Sequence, residues 1–203
     1  ACTLRFRNIG TSNFEIVQNE PHGGGHVAND VYYIAIEPGN YQLPDGTRIE
    51  AGSINTSAIQ HGSGVSGTES WANLQFTDSF SNTPALLTHI QTQNNELNNT
   101  YSEAPKPWMT SISEDITKAG AKVALDLSQG STAGGTVTTN EKIAYLAMES
   151  GSKGSFQDSN NNTIKYEAQL TGHQVIGWDD GGSTVNFINS YNSAPKVVAS
   201  KSS

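Results

Sequence analysis

This chain has almost no cysteine, little charge and no long apolar run, and each shortage removes a class of protein. Cys2 is the one cysteine in 203 residues, so no disulfide can form within the chain, and its thiol is either spare or linked to another chain. No apolar stretch reaches the ~18 residues of a membrane-spanning helix, which argues against membrane insertion. No signal peptide is visible, so an exported form would already have lost it. Basic residues number 11 against 19 acidic ones, for a net charge of −8. That balance argues against nucleic acid, whose phosphates select a basic face. It also argues against docking on anionic membranes or acidic polysaccharides unless calcium intervenes. Helical periodicity is missing as well: Ser113–Ala121 comes closest, but it matches the turn that begins at Gly10 and reads as a loop. The usual catalytic signatures are absent too, among them a nucleophile elbow, a zinc-binding His-Glu-x-x-His and a phosphate loop.

What the chain does have is an internal repeat. Val31-Tyr-Tyr-Ile-Ala-Ile-Glu37-Pro-Gly39 returns as Ile143-Ala-Tyr-Leu-Ala-Met-Glu149-Ser-Gly151, with Tyr145 standing 112 positions after Tyr33. A second pattern, Phe76-x3-Phe80-x3-Pro84 followed by Ala-Leu-Leu, returns 111 positions later as Phe187-x3-Tyr191-x3-Pro195 followed by Lys-Val-Val. Two unrelated patterns agreeing on the spacing to within one residue point to duplication. The order of the pieces is permuted, because the chain starts mid-unit and finishes mid-unit. One uninterrupted unit runs from about Phe76 to Gly172, giving an expected lobe over 76–173 and another over 1–75 with 174–203. Pro195–Ser203 is then expected beside Thr3–Asn8.

Short alternating segments fill both units. Leu4–Arg7 and Phe14–Val17 read as half-buried strands joined by a turn over Gly10–Asn13. Val31–Glu37, apolar on both faces, reads as a central strand. Arg48–Gly52, with its counterpart in Asn160–Ala168, and then Trp71–Phe76, Leu86–Thr92, Trp108–Ile112 and Val123–Leu127 follow as strands, whereas Ser53–Ser70 is a Ser- and Gly-rich loop with at most an edge strand. Strands at this spacing, with turn signals between them, predict an all-β fold of two pseudo-repeated antiparallel sandwich lobes.

The aromatic-x-Ala-x-Glu strand, the Phe-x3-Phe/Tyr-x3-Pro segment and the alternating strand between them resemble the H-type lectin module, and more closely related repeats of secreted bacterial surface proteins. The resemblance covers nearly the whole chain. It implies six-stranded sandwiches that commonly trimerise and bind galactose-type sugars at subunit junctions. The sugar-contacting residues of that family match no positions here, so its sugar preference does not carry over.

Several clusters are candidates for chemistry. Trp71 and Trp178 each shortly precede a Phe-x3-Phe/Tyr segment and each follows a histidine, His61 and His173. With Asp179 and Asp180 they form the expected carbohydrate site, apolar rings stacking on sugar faces while polar groups match hydroxyls; equally, each Trp could cap the core. His22 and His26 flank three glycines and could clasp a metal, with Glu20 or Asp30 nearby. Asp158, Asn160 and Asn162 place oxygens at alternate positions, as calcium prefers, and an ordinary Asx turn accounts for them as well. A polysaccharide lyase would need a base and a neutralising cation, for which Tyr32, Tyr33, His89 and Arg48 are available. The expected function is a secreted, non-catalytic lectin-like protein that binds glycan in surface adhesion, with calcium as the one cofactor suggested. The alternatives are a subunit of a filament or surface array, completed by neighbouring copies, and a lyase.

Overall fold

Residues 3–19, 30–61, 68–96, 107–127, 136–172, 175 and 183–202 are described by the computed structural model. Among them regular structure is entirely β. Twelve strands follow in order: β1 (Thr3–Arg7), β2 (Glu15–Asn19), β3 (Gly39–Gln42), β4 (Arg48–Thr56), β5 (Ile59–His61), β6 (Ala72–Gln75), β7 (Pro84–Ile90), β8 (Met109–Glu114), β9 (Gly120–Leu127), β10 (Glu141–Glu149), β11 (Ser152–Gln157) and β12 (Thr163–Ala168).

Alternation sets the main core. On β9, Ala121, Val123, Leu125 and Leu127 point one way and are all buried; on β10, Ile143 and Ala147 do the same with Tyr145 packed between them. These two strands are the centres of two facing sheets. The first has the order β3-β4-β10-β7 and is antiparallel throughout. In the second, β9 pairs antiparallel with β8 and β6 and parallel with β5. Ile59, Leu74, Phe76, Phe80, Leu86, Ile90 and Met109 fill the space between them, so the fold is a β-sandwich. Gly120 admits the close approach of β6, since a Cβ there would lie 2.2 Å from the Leu74 carbonyl oxygen.

Two hairpins stand outside these sheets. β1 and β2 pair from Thr3↔Asn19 to Arg7↔Glu15, with the Gly10 amide bonded to the Asn13 carbonyl in the turn between them. Side-chain hydrogen bonds fasten this hairpin to the sandwich. Arg5 forms a buried ion pair with Glu96, Arg7 donates to Gln93, and the Trp108 indole donates to the Asn19 carbonyl. Glu96 is itself placed by Glu141, a fully buried carboxylate on β10 that accepts the amides of Asn94 and Asn95 at 2.8 and 2.9 Å. The second hairpin, β11–β12, pairs from Ser152↔Ala168 to Gln157↔Thr163 and touches the β3–β4 turn through Tyr166, whose hydroxyl donates to Asp45.

Three sequence expectations need correction. The segment from Ser53 is not loop: β4 runs to Thr56 because β10 pairs along its whole length, and β5 follows on β9. Val31–Glu37 is not a strand. Its large residues lie open, Tyr32 at 93% exposure and Ile34 at 77%, and no neighbouring strand among the described residues supplies the ladder that its apolar pattern requires. No ladder joins the last segment to Thr3–Asn8 among the described residues; its contacts go to the sandwich instead, where Ser202 bridges to Ser113 and Ser200 accepts the Thr88 amide.

Candidate functional site

Of the residues expected to bind sugar, Trp178, His173, Asp179 and Asp180 lie outside the described residues, as do Cys2, Glu20 and the proposed metal pair His22 and His26. Trp71 is half-buried immediately before β6, and His61 ends β5. Their backbones are drawn together: the Ser70 amide donates to the Ile59 carbonyl at 2.8 Å, and the Gln60 side chain donates to the Ser70 carbonyl at 3.2 Å. Asp158 closes a tight Asx turn. One carboxylate oxygen accepts the amides of Asn160 and Asn162, both at 2.8 Å, and the other accepts the Asn162 side chain at 3.0 Å. These bonds hold its carboxyl below the usual range. Among the described residues no three His, Cys, Asp or Glu side chains converge as metal ligands would.

The four residues considered for lyase chemistry are not brought to one place. Tyr32 and Tyr33 stand on the unpaired segment, Tyr33 with its ring edge-on to Phe14. His89 pairs with Ala144 near one end of β10, while Arg48 follows the Ile49↔Met148 pair near the other. That is about five residues along a strand, or about 16 Å. His89 packs on the Phe6 ring at 4.8 Å, and its Nδ1 lies 3.0 Å from the Ile90 carbonyl oxygen. Burial holds its imidazole below the ordinary value of 6.5; the Ile90 carbonyl opposes this, and the nearby Arg5 charge adds to it. The folded chain therefore binds a proton here less readily than the unfolded one. The stability contributed by His89 is complete above about pH 6.5 and is lost as pH falls from there through the folded pKa. Melting temperatures measured on either side of this window are expected to fall with acidification, and His89→Gln is expected to remove that part of the slope. Identical pH profiles for the two chains would contradict the assignment.

A shallow depression that the sequence did not announce lies at the edge of the first sheet, lined by Asn40, Tyr41, Gln42, Arg48 and Asp78. Arg48 is its keystone. Its guanidinium lies over the Phe80 ring, 4.5 Å from the centroid, and donates to the Ser79 and Asp78 carbonyls at 2.6 and 2.7 Å and to Asn40 Oδ1 at 2.9 Å. Asn40 in turn donates to the Asp78 carboxylate at 2.8 Å. Tyr41, 40% exposed, folds back over Gly39, where a Cβ would lie 2.8 Å from its hydroxyl oxygen; that hydroxyl donates to the Glu37 carbonyl at 2.7 Å. Gly39 thus leaves room for the ring, and the bond to the Glu37 carbonyl holds it. The result is a pre-ordered set of amide and carboxylate groups on one face of the β3 edge, each with acceptor capacity left over, while the Tyr41 ring, one position along the strand, lies toward the other face with Gly39. Sequence reading passed over Asn40-Tyr41-Gln42 because an exposed edge strand after Pro-Gly looks like any other.

Comparison with family models, with curated proteins and with solved structures finds no match to this chain.

Proposed function

We propose that this chain is a secreted, non-catalytic β-sandwich protein that binds glycan on a cell or polymer surface, with the depression at Asn40, Tyr41, Gln42, Arg48 and Asp78 as its binding site. The observation that carries the reading is the pre-ordered, hydrogen-bonded set of Asn40, Asp78 and Arg48 at the open edge of the first sheet, with the part-exposed Tyr41 ring at the neighbouring position of β3. A sugar presents C–H groups on its ring faces and hydroxyls at its rim; the amide and carboxylate acceptors suit the hydroxyls, and the Tyr41 ring offers an apolar surface at the same strand edge. Arg48 holds its neighbours in place and is largely spent on them, so the depression offers hydrogen bonds more than positive charge. A net charge of −8 points the same way, toward neutral glycans.

A glycan array probed in calcium and again in chelator tests the reading. Retention of the wild-type chain on a neutral glycan is expected, weakened about tenfold or more by Tyr41→Ala. Trp71→Ala and Trp178→Ala, run in parallel, would place the site elsewhere if either abolished binding while Tyr41→Ala did not. Silence of the wild-type chain on every glycan under both conditions would end the proposal.

A further inference from the structure

The duplication calls for a second sandwich half, and the described residues build only part of it. Four features of the first half recur. The β11–β12 hairpin matches β3–β4. Glu167 on β12 accepts the amides of Ile188 and Asn189 at 3.3 and 2.8 Å, as Glu50 on β4 accepts that of Thr77 at 3.0 and 3.1 Å. Lys165 donates to the Ser190 carbonyl at 2.6 Å, where Arg48 donates to that of Ser79 at 2.6 Å. Phe187 and Tyr191 meet edge to face at 5.3 Å and 76°, and Phe76 and Phe80 at 5.0 Å and 81°.

The halves part company at the next strand. β4 carries β10 on its second edge, and β10 carries β7; β12 pairs with β11 alone among the described residues. The counterpart of β10 is Val31–Glu37, and the counterpart of β7 begins at Pro195. Both are laid open, with Ile34 at 77% and Val197 and Val198 each at 68% exposure. An unpaired strand edge beside uncovered apolar residues is a template for a strand from another chain.

We propose that Val31–Glu37 of one chain adds to β12 of a second copy, and reciprocally, giving a two-fold dimer in which each copy closes the other's open half. A second copy is the occupant because, within one chain, the segment does not meet that edge. It runs directly into β3, whose Gly39 is held opposite Ala51, and β12 pairs with β11 alone among the described residues. Transposing the β4–β10 register sets Ile34 opposite Ala168, Ala35 opposite Glu167 and Ile36 opposite Tyr166. Tyr33 then offers its hydroxyl to Glu167 as Tyr145 does to Glu50. Glu37 takes the place of Glu149, whose carboxylate accepts the amides of Ser81 and Asn82. The proposal does not rest on glycan binding, although the two meet at Glu37, which ends the added strand and whose carbonyl also accepts the Tyr41 hydroxyl.

Sedimentation of the wild-type chain should give twice its 21.6 kDa mass. In a Cys2→Ser background, chains carrying Ile34→Cys alone and Ala168→Cys alone are mixed under mild oxidation. Directly opposed antiparallel residues have Cβ atoms about 4.5–5.5 Å apart, close enough for small backbone shifts to allow a disulfide. A covalent heterodimer is expected. Ala35→Pro, which removes a ladder hydrogen bond from the added strand, should weaken dimerisation about tenfold or more while leaving the melting of the first sandwich in place. A wild-type monomer, a disulfide formed inside one chain bearing both cysteines, an absence of heterodimer, or a dimer indifferent to Ala35→Pro would each overturn the proposal.

Discussion

Glu96→Ala is expected to cost about 3–5 kcal/mol of folding stability, the range for stripping one partner from a buried ion pair. Arg5 and Glu96 have side chains only 1% and 0% exposed, and the guanidinium forks onto the carboxylate at 3.0 and 2.9 Å while also donating to the carbonyls of Leu4 and Met109. Burial pushes the Glu96 carboxyl above its usual range, and the Arg5 charge pulls against that. The pair is therefore held at a solvation cost that only its own geometry offsets. Removing the carboxylate leaves the cation buried with carbonyl oxygens but no counter-charge. Replacing both residues with leucine should restore much of the loss, since an apolar pair carries no such cost. Urea titrations followed by circular dichroism and by tryptophan fluorescence measure this. Trp108 donates to the Asn19 carbonyl, so its emission reports whether the β1–β2 hairpin is docked. In Glu96→Ala the fluorescence transition should move to lower urea, ahead of the sandwich. A shift worth less than about 1 kcal/mol would mean that the hairpin is held by the rings of Phe6 and His89 rather than by the ion pair.

The fold was legible where side-chain period and repeat agreed. Alternation across Val123–Leu127 marked β9, and the doubled Phe-x3-Phe/Tyr pattern marked two aromatic pairs that meet at nearly the same angle. Composition misled over Ser53–Ser70, because Ser and Gly say little about a strand whose ladder is supplied by a neighbour far along the chain, here β10. Val31–Glu37 misled in the opposite sense. Its pattern is that of a buried strand, but pattern specifies the kind of neighbour required and not which chain provides it. The depression was hidden for a further reason. Its walls come from β3, the start of β4 and the turn at Asp78, and Arg48 joins them through backbone carbonyls that leave no mark on residue type. The tryptophans were visible in the sequence, yet a half-buried Trp71 serves a core edge as readily as a ligand.

Glu50→Ala and Glu167→Ala should differ sharply although the two residues are repeat equivalents. Glu50 is 1% exposed and collects donors from three directions: the Thr77 amide and hydroxyl, Arg48 at 3.3 Å and the Tyr145 hydroxyl at 2.9 Å. Tyr145 is bound to it closely enough that burial and this hydrogen bond together push its hydroxyl well above the usual tyrosine range. Truncating Glu50 leaves a backbone amide and a phenol unpaired inside the sandwich, an expected loss of about 3 kcal/mol or more. Glu167 holds the amides of Ile188 and Asn189 at an open edge where water can replace it, so Glu167→Ala should cost less than about 1 kcal/mol in the monomer. The contrast should shrink on assembly. Once a partner's Tyr33 reaches Glu167 and covers it, the same truncation removes a buried acceptor, and its cost should rise with protein concentration as dimer forms. Thermal melts of both variants across a dilution series read this directly. A Glu167→Ala penalty that stays small and flat at every concentration would show that its edge is never covered, while a Glu50→Ala penalty of similar size would show that the closed half owes little to its buried carboxylate.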